Sequence, residues 1–260
     1  MGKDVTEGRS PHRTLLPDTV GSDHQKPTSL QGIANKAKTD KQHRFRDLYG
    51  CLNADLLLDC WGDLNKQAAS GVDGLTAQAY AVNLQANITA LAQRLKGKRY
   101  RAKLVRRCYI PKENGAERPL GIPALEDKLV QLVCAKLLTA IYEQDFLDGS
   151  YGYRPGRGAL DAVRDLTFDL QYGRYGYLVE ADVQGFFEHM DHTWLLDMLR
   201  VRIDDRAFLH LIRKWLKAGI LDTDGQVIHP ETGTPKAARS PPSLQMCICT
   251  TPSTCGLRKW

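Results

Sequence analysis

The sequence predicts an α+β fold, mostly helical with short antiparallel strands and hairpins. Apolar residues return at helical spacing in several separate stretches. An Asn-Gly pair, Asn114-Gly115, sits between two extended segments, the strongest short hairpin signal. Finally, Leu178-Val179-Glu180-Ala181-Asp182-Val183-Gln184-Gly185-Phe186-Phe187 reads as a short apolar strand that delivers a carboxylate to its end, followed by a glycine turn and two aromatics.

Residues 1–45 are rich in Lys, Arg, Ser, Thr, Pro and His with few large apolar groups, so a basic, loosely ordered N-terminal arm is expected, with helix beginning near Lys41. Ala54 to Asn65 and Thr76 to Lys96 carry helical spacing on either side of the turn-like Ser70-Gly71-Val72-Asp73-Gly74. The hairpin follows. In Leu125 to Asp145, Leu129, Leu132, Val133, Leu137 and Ile141 share one side of a helix. Further helices are expected at Ala159 to Tyr172, Thr193 to Val201 and Asp205 to Ala218, a strand at Tyr175 to Asp182, and a short hairpin around Asp224-Gly225.

The chain has 260 residues, 42% of them hydrophobic, enough for a sizeable core. Its formal net charge of +6 understates a local excess. Lys96, Lys98, Arg99, Arg101, Lys103, Arg106, Arg107, Lys112 and Arg118 crowd a stretch whose acids are Glu113 and Glu117, a patch suited to a polyanion, nucleic acid first of all. Seven scattered cysteines make no zinc spacing and no disulfide framework, which fits a reducing cytosol. No stretch is apolar for the length of a membrane span.

Four motifs occur in order: Tyr109-Ile110-Pro111-Lys112 with Arg118-Pro119-Leu120-Gly121-Ile122-Pro123; Gly152-Tyr153-Arg154-Pro155-Gly156-Arg157-Gly158; the Asp182 run; and Gly233-Thr234-Pro235. In this order and spacing, over residues 30 to 235, the chain resembles the reverse transcriptases of group II intron-encoded proteins, the maturase family. The resemblance implies right-hand polymerase fingers over 46–172 and a partial palm over 173–235. It also implies RNA-directed DNA polymerase chemistry on an RNA/DNA template-primer with deoxynucleotide triphosphates, together with binding of the intron RNA, splicing and mobility.

Residue by residue, the resemblance makes Asp182 the catalytic carboxylate and a Mg²⁺ ligand, with the Val183 carbonyl as a second oxygen. Two such ions about 3.5–4 Å apart need more oxygen ligands, which the family draws from a later Tyr-x-Asp-Asp hairpin. No such sequence occurs in this chain. Lys112 and Arg118 match positions that reach the incoming triphosphate, and Phe187 matches the aromatic that lies beneath the sugar. Arg99, Arg101, Arg106, Arg107, Arg154 and Arg157 are the candidate contacts to nucleic-acid phosphates, though a structural turn is the alternative for the last two. Phe186 is the better candidate for core packing. Glu188, Asp191 and His192 have the spacing of a helix cap rather than of a metal site.

From Lys236 the character changes to Lys236-Ala237-Ala238-Arg239-Ser240-Pro241-Pro242, with neither period. The family continues after Gly-Thr-Pro with Gln-Gly. Codons AAG GCG GCA CGG for Lys236 to Arg239, preceded by a final C from Pro235, regroup as CAA GGC GGC ACG, which is Gln-Gly-Gly-Thr. Residues 236–260 are therefore expected to be an out-of-frame, disordered tail, and the chain a truncated polymerase without activity of its own. The alternatives are a residual RNA-binding module that assists splicing without catalysis, and a pseudogene product with no function.

Overall fold

The structure is a computed structural model that describes residues 29–111, 115, 117–152, 154–173 and 175–233. Among the described residues eight α-helices and four strands run in the order α1 (Leu30–Thr39), α2 (Ala54–Asp63), α3 (Ala77–Ala81), α4 (Leu84–Lys96), β1 (Val105–Pro111), β2 (Glu117–Ile122), α5 (Leu125–Tyr142), α6 (Ala159–Tyr172), α7 (His192–Arg200), α8 (Arg206–Leu216), β3 (Ile220–Leu221) and β4 (Val227–Ile228). The mixed α+β expectation holds, and the caps explain several boundaries. Asn53, Thr76, Asp191 and Asp205 each accept a backbone N–H of the first turn of the helix that follows.

α5 is the axis of the molecule. Leu129, Val130, Val133, Leu137 and Ile141 are essentially inaccessible, and α1 and α2 pack on the helix. Apolar residues occupy almost every side of α5 because it has neighbours almost all round. The core continues through Leu57 and Trp61 of α2, Ile88, Leu91 and Leu95 of α4, and Leu195, Leu199, Phe208 and Ile212 of α7 and α8.

Helix begins earlier than the sequence suggested. α1 lies within the stretch expected to be loose: Ser29 caps it by accepting the Gly32 N–H at 3.0 Å, and Ile33 and Ala37 are buried against α5. Leu30, Ile33 and Ala37 form a narrow apolar stripe among lysines and polar residues, too thin a signal to stand out.

The sheet order is β2-β1-β3-β4. β1 and β2 are antiparallel, with Ile110 opposite Arg118, and β3 and β4 form the expected second hairpin. β3 joins β1 in parallel, Val105 opposite Ile220, a pairing that sequence patterns do not announce. The strand expected at Tyr175 to Asp182 is absent: 175–183 has no regular structure and is exposed throughout. Its composition suits a strand, but a strand exists only where a ladder satisfies its backbone, and no named strand among the described residues pairs with it.

The loop before α3 is clamped to the start of α5 and to β1 and its approach. Lys128 Nζ donates to the Ala69 carbonyl at 2.5 Å, Arg106 to the Ser70 carbonyl at 2.7 Å, and Lys103 pairs with Asp73 at 2.9 Å. Burial pushes the Lys128 ammonium below its usual range. A Cβ on Gly71 would stand 2.5 Å from the Ala124 Cα and 2.7 Å from the Pro123 carbonyl oxygen, so backbone would have to move. Gly71→Ala should therefore lower unfolding stability by about 1–3 kcal/mol in urea titrations. An unchanged midpoint would show that the loop yields freely.

Candidate nucleotide and nucleic-acid site

Asp182 is exposed and leads into a tight turn. The turn is held by Phe186 N–H to the Val183 carbonyl at 3.3 Å and by Glu188 and His189 N–H to the Gly185 carbonyl at 2.9 and 3.0 Å. The Val183 carbonyl thus already accepts one hydrogen bond. Of the two aromatics, the one on the core is Phe187 and not Phe186 as expected. Phe187 is half-buried and packs on the core, whereas Phe186 is 37% exposed and meets the Phe187 ring edge-on at 5.3 Å.

Among the described residues no group of three or more His, Cys, Asp or Glu side chains could hold a metal ion. One exposed carboxylate and one engaged carbonyl do not make a Mg²⁺ site, which wants several hard oxygens in octahedral array. Asp191 does what its spacing suggested, accepting the Thr193 and Trp194 N–H groups at 2.7 and 2.8 Å as the N-cap of α7.

On the hairpin, Arg118 is exposed on β2 and open to a phosphate, while Lys112 lies outside the described residues. The candidate phosphate contacts divide by what they already touch. Lys96 at the end of α4 and Lys98, Arg99 and Arg101 just after it are exposed. Arg106 is turned inward onto Ser70, its Nε buried without a partner. Arg107 lies 3.8 Å from Asp222, whose two oxygens also accept from the Tyr109 hydroxyl at 3.2 Å. The Thr223 backbone N–H, then Tyr109 and Arg107, hold the Asp222 carboxyl below its ordinary range.

Arg154 is a staple of its own loop. It forks onto Glu143 at 2.7 to 3.3 Å, donates to the Leu147 and Ser150 carbonyls at 2.9 and 2.8 Å, and lies over the Phe146 ring at 4.5 Å. Buried to 6% exposure, it cannot reach a phosphate without giving up these bonds. With these bonds Arg154 holds a structural turn together. Arg157 donates to the Asp148 carbonyl, pairs with its carboxylate at 3.5 Å and keeps a third of its side chain in solvent.

A buried group that the sequence placed only in a helix cap stands behind the turn. His192, 7% exposed, puts Nε2 at 2.7 Å from the Gly233 carbonyl oxygen. No local pattern signals this, since the two residues belong to segments remote in sequence. His192 could be read only as part of a cap.

The profile of the family described as reverse transcriptase (RNA-dependent DNA polymerase) matches residues 110–250. The matched span runs past Pro235, into the segment that the frame-slip reading places out of frame. The group II intron-encoded protein LtrA of Lactococcus lactis subsp. cremoris is 33% identical over 226 residues, covering 84% of this chain and 37% of LtrA. Protein YkfC of Escherichia coli is 37% identical over 155 residues, covering 58% of this chain and 41% of YkfC. The chain thus spans well under half the length of these relatives. Among solved structures, a chain of a partial Cas6-RT-Cas1-Cas2 complex aligns with a TM-score of 0.46 at 22% identity, over 78% of this chain and 33% of that one.

Proposed function

The chain belongs to the reverse transcriptase (RNA-dependent DNA polymerase) family, among the group II intron-encoded proteins, and from that membership we propose that its 260 residues supply the fingers and the first part of the palm of an RNA-directed DNA polymerase without polymerising by themselves. The observation that carries this reading is Asp182, exposed at the mouth of the aromatic turn with no described cluster of carboxylates around it. In this reading Arg118 and Lys112 neutralise the triphosphate, and the Phe186-Phe187 turn lies against the sugar. Asp182 supplies one carboxylate of a set that this sequence does not complete.

The purified chain should show no extension of a DNA primer on an RNA template at any Mg²⁺ concentration. Template-dependent extension that Asp182→Ala abolishes would overturn the proposed inactivity and keep the family role of Asp182. Sequencing the gene across Pro235 to Trp260 tests the frame reading separately, because only a slipped frame encodes the Gln-Gly-Gly-Thr continuation.

A second reading, an RNA-binding module that assists splicing, is favoured by the exposed cluster Lys96, Lys98, Arg99 and Arg101. Binding through that cluster should weaken steeply with salt. Joint replacement of Arg99 and Arg101 by Ala should flatten the slope of log K against log salt by about 1–2 and weaken unrelated RNAs alike. Joint replacement of Arg106 and Arg107 should instead lower stability, as their partners are Ser70 and Asp222. If the second pair alone set the salt slope, the basic surface would lie on β1.

A further inference from the structure

We propose that His192 is a positioning residue: it latches the arm that contains Thr232 and Gly233 onto the back of the Val183–Met190 turn, and so sets how Phe186 and Phe187 stand beside Asp182. Three hydrogen bonds join these segments. The Gly233 N–H donates to the Met190 carbonyl at 2.8 Å, the Thr232 hydroxyl to the Glu188 carbonyl at 3.3 Å, and the His192 ring meets the Gly233 carbonyl at 2.7 Å. A carbonyl can only accept, so the ring must donate through Nε2–H.

Gly233 is the residue that lets the arm come so close. Its φ is +79°, and a Cβ there would lie 2.5 Å from the Glu188 carbonyl oxygen and 2.8 Å from that of Phe187. The arm therefore touches the backbone of the residue whose ring stacks into the core. Met190, the other anchor, is itself buried. His192 is the side chain that closes the connection, and its place as the first residue of α7 fixes it to a helix whose Leu195, Leu196 and Leu199 are in the core. A turn built on a rigid helix and tied from behind holds its aromatics more narrowly than a loop left to itself.

The positional role of the latch rests on the nucleotide-site reading, whereas the latch can be tested without it. His192→Gln places an amide N–H where Nε2–H stands, and His192→Phe keeps a ring without a donor. In amide hydrogen exchange of the full chain, His192→Phe should speed exchange at Gly233 about tenfold. His192→Gln should restore the wild-type rate, and Leu196 and Leu199 should keep their protection in both. The affinity for Mg²⁺-dGTP, measured by calorimetry, should fall and recover in the same order.

Wild-type exchange at Gly233 in His192→Phe would overturn the latch. So would equal acceleration in both variants, or loss of protection throughout α7, which would make His192 a general packing residue. If the wild-type chain binds no dGTP while the exchange pattern holds, the latch stands and the nucleotide reading fails. Unchanged dGTP affinity alongside altered exchange would remove the positioning role.

Discussion

Arg202→Ala should cost about 3–5 kcal/mol of unfolding free energy, because it strips the partner from a buried charge. Arg202 is 1% exposed. Its Nε lies 3.0 Å from Asp145 Oδ2 as an ion pair, although the N–H is not aligned for a hydrogen bond. Its NH groups donate to the carbonyls of Ala37 at 3.3 Å, Asp40 at 3.2 Å and Lys41, and the guanidinium lies over the Phe45 ring at 5.8 Å. One side chain from the α7–α8 junction thus absorbs the carbonyls at the end of α1, groups that a helix C-terminus leaves orphaned. Burial pushes the Asp145 carboxyl up against the opposing pull of Arg202 and Lys41, so removal of the guanidinium leaves a poorly solvated acid with Lys41 at 3.5 Å.

Arg202→Lys keeps the charge but loses the fork, and should recover only part of the loss. Urea titration gives the magnitude. Hydrogen exchange gives the place, since Ile33 and Ala37 of α1 should lose protection before the α5 interior does. A change within 0.5 kcal/mol, roughly that of an ordinary surface substitution, would show that α1 is held by its apolar stripe alone.

How much of this was legible follows from how local each cause is. α5 announced itself because apolar groups dominate its length, and the β1–β2 hairpin because Asn114-Gly115 specifies its turn chemistry. The family motifs were legible for the same reason: each is a short run. Arg106, Arg107 and Arg154 were visible as cations, but their sequence does not say that Ser70, Asp222 and Glu143 wait across a fold. That Phe187 and not Phe186 packs on the core is the same difficulty in miniature, since two adjacent aromatics are told apart only by which one the core lies behind. The run 175–183 failed in the opposite sense. Its residues are strand-like, and pairing is a property of two segments.

The second large effect is a pH dependence centred on Asp127, and its sign is opposite to that of ordinary acid unfolding. Asp127 is 3% exposed in the first turn of α5. Its carboxylate accepts the Tyr100 hydroxyl and, at 3.0 Å, the Lys103 N–H, while the Trp215 indole N–H donates to the Tyr100 oxygen at 3.0 Å. The network ties the approach to β1 to both α5 and α8. Burial outweighs these donors and raises the Asp127 pKa from 3.8 to about 6.

A raised carboxyl binds its proton more tightly folded than unfolded, so its stabilisation is complete below 3.8 and is lost as pH rises through about 6. The shift corresponds to about 3 kcal/mol. Asp40, Asp63, Asp161 and Asp222, all held low, act in a different window, losing their contribution only as pH falls below the normal carboxylate range. Asp127→Asn is never charged, but its amide must face one of the two donors and should cost about 1–3 kcal/mol at pH 4.5. By pH 7.5 the wild-type chain has taken on its ionisation cost, and since about 1.5 of the pKa difference lies above pH 4.5, the gap between the two proteins should have closed by about 2 kcal/mol. Asp145, also raised, is common to both proteins and cancels in the difference. Paired urea titrations across this range decide the matter: a gap independent of pH would mean that Asp127 ionises at its ordinary value, with water reaching the network between Tyr100 and α5.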